Sequence, residues 1–199
     1  MKMNENATRG LPRTFCWTRF GAEAGEQMEA ILARKELERR ATGGVFLWGI
    51  GNAVGPGIAA LVDEEPRPEV LFSPIKSRPR PVDIAPDSVV QWSTAETLAG
   101  ERFDLPAGAC VTSRGSRSAH YALVCASPLP LRPAELARLH FGGLRNLRTN
   151  NPLGHSQVTA VVRRGKGKAG AEYVVALRAQ LIAPYFVRLR DPVPKPATV

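Results

Sequence analysis

Apolar positions in this chain come in short blocks, separated by polar, glycine-rich or proline-rich punctuation, and their period changes along the sequence. The most apolar block lies in Gly43–Gly57 and ends in a burst of glycines. Its core, Val45 to Ile50, predicts a buried central strand. The glycines after it allow a sharp turn or a close backbone approach. Upstream, Thr14 to Phe20 is dense in aromatic and β-branched residues and predicts a strand. Alternation puts Phe15, Trp17 and Arg19 on one face and Cys16, Thr18 and Phe20 on the other. Between these two blocks the period lengthens. Ala24, Met28, Ile31 and Leu32 recur at helical spacing within Ala22 to Arg40. Acids lead that segment and bases close it, which suits a helix dipole, and Gly43-Gly44 stops it. The mixed charges of its second half read as a solvated face.

Downstream, Pro56 to Val62 predicts a short helix and Asp63 to Pro68 a loop. Glu69 to Ser73 reads as a strand, and Ser77 to Pro81 as an extended segment that cannot pair centrally. Ser88 to Thr94 is a short strand carrying Trp92. Ala109 to Ser113 and His120 to Ala126 predict a hairpin. Pro133 to His140 fits a short helix ended by Gly142-Gly143. Val158 to Arg164 and Tyr173 to Leu181 predict strands around the turn 165–170, and Tyr185 to Arg190 a last strand. Many strands with few helices predict an α+β fold: a curled, mostly antiparallel sheet or a β-barrel with flanking helices. The expected organisation is a frayed N-terminus over 1–12, a single domain over 13–191 and a disordered tail over 192–199.

The 199 residues suffice for a self-supporting core, and 44% hydrophobic content excludes wholesale disorder. No apolar run is long enough to span a membrane, and the N-terminus has no signal-peptide core, so no membrane partner and a cytoplasmic location are expected. Three scattered cysteines, Cys16, Cys110 and Cys125, read as reduced core thiols rather than metal ligands. Charge changes the picture most. Residues 1–100 carry 12 Lys/Arg against 13 Asp/Glu, a balance of −1. Residues 101–199 carry 15 against 5, a balance of +10. Such asymmetry points to a polyanionic partner, DNA or RNA first. Four polar segments carry it: Arg78 and Arg80; Arg114 and Arg117; Arg145 and Arg148; and Arg163, Arg164, Lys166 and Lys168. Arginine beside Ser, Thr and Asn suits phosphate contacts.

Base contacts need flat apolar walls and a polar edge. Trp17, Trp48 and Trp92 each fall inside a predicted strand, and Asn52 lies at the end of the Trp48 strand. If those strands are neighbours, the indoles line one base pocket. The glycine cluster does not make a nucleotide site: the dinucleotide spacing lacks its third glycine, and no lysine follows for a phosphate loop. No cofactor is expected. Catalytic signals are thin and the chain leans away from an enzyme. His155 beside Ser156 is the one base–hydroxyl pair, and it carries the alternative of an enzyme acting on nucleic acid or a nucleotide. A further alternative is a protein-interaction module using the helix Ala22 to Arg40.

The order of features resembles the PUA-like superfamily, especially its EVE and YTH branches. Three places carry the likeness: the strand Thr14-Phe15-Cys16-Trp17-Thr18 running into a helix, the strand Glu69-Val70-Leu71-Phe72-Ser73 leading through Pro74-Ile75-Lys76 to a basic loop at Ser77, and tryptophans on several early strands. It spans at most residues 14–130. The resemblance implies a β-barrel with flanking helices and a pocket for a modified base between aromatic walls. It does not account for the central glycine-rich stretch or the basic final third.

Overall fold

The structure, a computed structural model, describes residues 10–20, 28–75, 89–112, 120–154, 157–167 and 170–193. It is sheet-rich, with two α-helices among the described residues. The strands are β1 (Thr14–Phe20), β2 (Val45–Ile50), β3 (Glu69–Pro74), β4 (Val89–Gln91), β5 (Thr94–Thr97), β6 (Arg102–Asp104), β7 (Cys110–Thr112), β8 (Tyr121–Ala126), β9 (Ala137–His140), β10 (Leu144–Asn146), β11 (Thr159–Arg164), β12 (Glu172–Val175) and β13 (Leu177–Leu189). The helices are α1 (Met28–Ala41) and α2 (Gly55–Glu64).

Nine strands form one mixed sheet, ordered β10-β11-β1-β3-β13-β5-β6, with β8 pairing β13 and β2 pairing β8. The long β13 is its spine. At Gln180 it pairs Glu69 of β3 and Ala126 of β8, and at Val187 it pairs Thr97 of β5 and Ala122 of β8. Its register shifts between Leu181 and Phe186. The pairing of β1 with β3 is parallel and the other described pairings are antiparallel. The sheet does not close into a barrel, because β10, β2 and β6 each end a row of pairing.

Alternation on β1 works as the sequence implies. Cys16 and Phe20 enter a core with Ile31 and Leu32 of α1 and Ile58 and Leu61 of α2. Phe15 and Trp17 enter a second cluster under the small β9–β12 sheet, with Leu139, Phe141 and Val175. A third cluster, around Leu47, Trp92, Val111 and Val187, lies beside the small β4–β7 sheet. Neighbours on β8 alternate between the first cluster (Leu123, Cys125) and the third (Ala122, Val124). One sheet face therefore carries the helices, and the other is divided between two small sheets.

Several expectations are corrected. Val45–Ile50 is a strand, but not a central one: among the described residues β2 pairs only with β8. Ala109–Ser113 and His120–Ala126 form no hairpin, because β7 pairs β4 while β8 pairs β2 and β13. The strands expected over Val158–Arg164 and Tyr173–Leu181 are present, the second divided between β12 and the start of β13, but β11 lies between β1 and β10, and β12 pairs β9. Pro133–His140 is not a helix. Residues 137–140 are a strand opposite β12, where Leu139 is buried against Tyr173. Its short apolar pattern fits either state, and pairing with β12 decides. Pro192 and Val193, expected in a disordered tail, pair with Trp92 and Gln91.

The glycine burst after β2 is a packing device. A 3-10 turn over Asn52–Val54 leads into α2. A Cβ on Gly55 would stand 3.0 Å from Phe186, and one on Gly57 would stand 3.0 Å from Val161. The glycines let α2 lie close on the sheet, which is the close approach their lack of a side chain permits.

Candidate nucleic-acid interface

The third and fourth basic segments come together at one margin of the main sheet. β10 and β11 pair so that Arg145 stands opposite Arg163 and Leu144 opposite Arg164. β1 continues the row, with Thr14 opposite Arg163. Two like charges directly opposite each other on a sheet repel. The fold relieves this only in part. Arg163 pairs with Glu64 at the end of α2, and Arg145 turns its Nη1 to the carbonyls of Gly142 and Leu144 at 3.1 and 3.2 Å. Arg164 lies on the opposite sheet face and is exposed, donating to the carbonyl of Leu11 at 3.0 Å.

Around this pair the margin is built from tight polar turns. Asn146 Oδ1 accepts from the backbone N–H groups of Arg148 and Thr149, at 3.0 and 3.1 Å. That turn holds Arg148, Thr149, Asn150 and Asn151 exposed. On the other side Lys166 is exposed in the turn after β11. This turn is seated on Gly142–Gly143: the N–H of Gly165 donates to the carbonyl of Gly143 at 2.8 Å. Arg13, which the sequence did not single out, joins through the start of β1, where its carbonyl accepts from the N–H of Arg164 at 2.8 Å. Among the described residues six cations thus share the margin (Arg13, Arg145, Arg148, Arg163, Arg164, Lys166), with Glu64 and Glu65 beside it. Glu65 is held by the Thr14 hydroxyl, which donates to it. Arg78, Arg80, Arg114, Arg117 and Lys168 lie outside the described residues.

The three tryptophans do not share a cleft. Trp17 is fully buried in the cluster under β9–β12, its Nε1 donating to Ser73 Oγ at 2.9 Å and its ring edge-on to Phe141 and Tyr173. Trp48 is half-buried on the helix-bearing face, against Phe20 and Phe72. Trp92 is buried in the third cluster with its ring 4.8 Å from that of His120. A pocket walled by all three is therefore not formed, because alternation sends Trp17 and Trp48 to opposite faces of the sheet. Asn52 is exposed in the turn after β2. The aromatic–arginine face read on β1 is present as packing: the Arg19 guanidinium lies 5.2 Å from the Tyr173 ring centre.

The chemistry of the remaining candidates is quiet. His155 and Ser156 lie outside the described residues. Burial pushes the Cys16 thiol up to about 12 and raises Cys125 well above the ordinary thiol range, so neither is a nucleophile near neutral pH. Burial also raises Cys110. No group of three or more His, Cys, Asp or Glu stands together among the described residues. Nor is any helix among them long and apolar enough to cross a membrane. No family model, curated protein or solved structure matches the chain.

Proposed function

We infer that the chain is a nucleic-acid-binding module whose phosphate contacts are made by the β10–β11 margin. The observation that carries the reading is the cross-strand Arg145–Arg163 pair, flanked by exposed Arg148, Arg164 and Lys166. The fold holds like charges together there, and a phosphate backbone is the partner that turns that repulsion into attraction. Exposed Thr149, Asn150 and Asn151 supply neutral donors beside them.

The resemblance to EVE and YTH domains adds a base pocket to this reading. Among the four pocket candidates, half-buried Trp48 and exposed Asn52 at the end of β2 keep accessible surface, and they support that part.

The test is fluorescence anisotropy with labelled single- and double-stranded oligonucleotides, plain and carrying a methylated or hydroxymethylated base, across a salt series. Binding should weaken steeply with salt. Arg148→Ala and Arg164→Ala should weaken all sequences alike, each lowering the salt slope by about 1. Trp48→Ala should erase any preference for the modified base. No binding at low salt, or binding indifferent to both arginine variants, would reject the reading.

A further inference from the structure

A cleft of about 510 Å³ opens beside the first half of β13, away from the basic margin. One wall is the start of β13 (Leu177 to Gln180) and the approach to β3 (Arg67, Glu69). The other is the chain leaving β8, from Ser127 through the proline-punctuated run Pro128-Leu129-Pro130-Leu131 to Leu136. Its volume lies within the range of about 300–1,000 Å³ typical of small-molecule sites.

The second wall is anchored at both ends. Leu131 N–H donates to Glu36 Oε2 at 3.1 Å, and Arg39 Nη1 donates to the carbonyl of Ser127 at 3.3 Å, both from α1. Further on, Ala134 N–H donates to Ala176 and Leu136 N–H to Val175, at 3.1 and 2.9 Å. The prolines fix φ between these anchors. The cleft is thus preformed, which spares a ligand the cost of ordering it.

Its chemistry is specific. Glu69 and Arg178 form a two-point pair, Nε to Oε2 at 2.6 Å and Nη2 to Oε1 at 3.0 Å, and so neutralise each other. Arg67 and Arg132 are exposed and have no ion-pair partner among the described residues. Of the five exposed large hydrophobics described, two stand here: Leu129 at 37% and Leu136 at 40%. Among the described residues the lining contains no aromatic ring to offer a stacking surface for a base. Two exposed guanidiniums beside an aliphatic wall fit an oxyanion on an aliphatic body.

We propose that this cleft binds a small amphipathic oxyanion, an aliphatic chain ending in a carboxylate or phosphate monoester, with Arg67 and Arg132 on the headgroup and Leu129, Leu131 and Leu136 on the chain. The site is separate from the nucleic-acid margin, whose residues do not line it.

The experiment uses the full chain and the fluorescent anion 1-anilinonaphthalene-8-sulfonate, competed by decanoate, decyl phosphate and decanol. One saturable site is expected, displaced by decanoate or decyl phosphate. The tighter competitor identifies the headgroup. Decanol should compete at least about tenfold more weakly, the mark of a charge-assisted contact. The double substitution Arg67→Gln/Arg132→Gln should weaken both anions about tenfold or more, and Leu136→Asp should abolish the signal. These side chains are exposed, so a urea midpoint within error of the parent shows that the fold is intact. Decanol competing equally, or dye binding indifferent to the variants, overturns the proposal. Oligonucleotide binding, read on Arg148 and Arg164 variants, stands or falls independently.

Discussion

Lys35 Nζ stands 2.7 Å from Glu38 Oε2, one helical turn on, with only 4% and 1% of the two side chains exposed. Both belong to the half of α1 that the sequence presents as a solvated face. Instead the pair joins the helix to two strands that do not pair with each other. Glu38 Oε1 accepts from the N–H groups of Leu47 on β2 and Cys110 on β7, at 2.9 and 3.1 Å. Lys35 Nζ donates to the carbonyl of Cys110 at 2.6 Å. The free edge of β2, which would otherwise bury an unpaired N–H, is satisfied by a side chain. Removing one partner leaves an uncompensated buried charge, so Lys35→Met should cost about 3–5 kcal/mol. The double variant Lys35→Met/Glu38→Gln should cost less than the two singles together, because Gln keeps an acceptor for Leu47 without a charge. Urea midpoints of the four proteins give the coupling, and strict additivity would contradict it.

Gly143 and Gly167 meet in a different way. A Cβ on Gly143 would stand 2.4 Å from the Gly167 carbonyl oxygen, and the obstacle is backbone, which cannot rotate aside. Gly143→Ala should therefore push the 165–167 turn off its seat and cost about 1–3 kcal/mol, as overpacking does. Thermal unfolding reads the loss. Because that turn carries Lys166, oligonucleotide binding should weaken as well, whereas Gly10→Ala, where nothing lies within 4 Å, should change neither.

These two contacts show where the sequence stops being legible. Strand Thr14–Phe20, its two faces, and helix α2 within a few residues follow from local period, because alternation and helical spacing are properties of neighbours in the chain. Pairing partners are not. Nothing local to Leu144–Asn146 says that it lies on β11, so the meeting of Arg145 with Arg163 is invisible until residues 144–164 fold back on themselves. Nor does a Lys at 35 announce burial: its composition is that of a surface helix, and the carbonyl that admits it, that of Cys110, is 75 residues away. Arg13 became a site candidate for the same reason, through a backbone bond to Arg164.

Glu36 makes stability depend on acid. Hydrogen bonding from Arg39 first, then from Leu131 N–H and Arg40, holds its carboxyl far below the ordinary 4.5, against the opposing effect of burial. The folded state thus binds the proton less readily than the unfolded chain. Its stabilisation is present in full above the ordinary value and is lost as pH falls below about 4.5 toward the depressed folded value. Glu36→Gln should cost about 1–3 kcal/mol at pH 7 and reduce the loss of stability on acidification. Denaturation midpoints at pH 7 and pH 3 check this; equal acid sensitivity in both proteins would place the titrating group elsewhere. The same substitution should loosen the Leu131 wall of the β13 cleft.

Glu64 restrains the basic margin that the nucleic-acid reading depends on. It is the last residue of α2, where the helix dipole disfavours an acid, and it is held there by Arg163. Removing its charge gives up an ion pair whose side chains are 42% and 34% exposed, worth no more than about 1 kcal/mol, and relieves the unfavourable helix end. Stability should barely move. The electrostatics of the margin should move a great deal, because Arg163 then stands opposite Arg145 with no acid among the described residues bonded to either. Glu64→Gln is therefore expected to tighten oligonucleotide binding at low salt and to steepen the salt slope by about 1, the signature of one more neutralised phosphate. The gain should vanish in Glu64→Gln/Arg163→Ala. An affinity unchanged by Glu64→Gln, in a protein that binds nucleic acid, would mean that the phosphates lie elsewhere on the molecule.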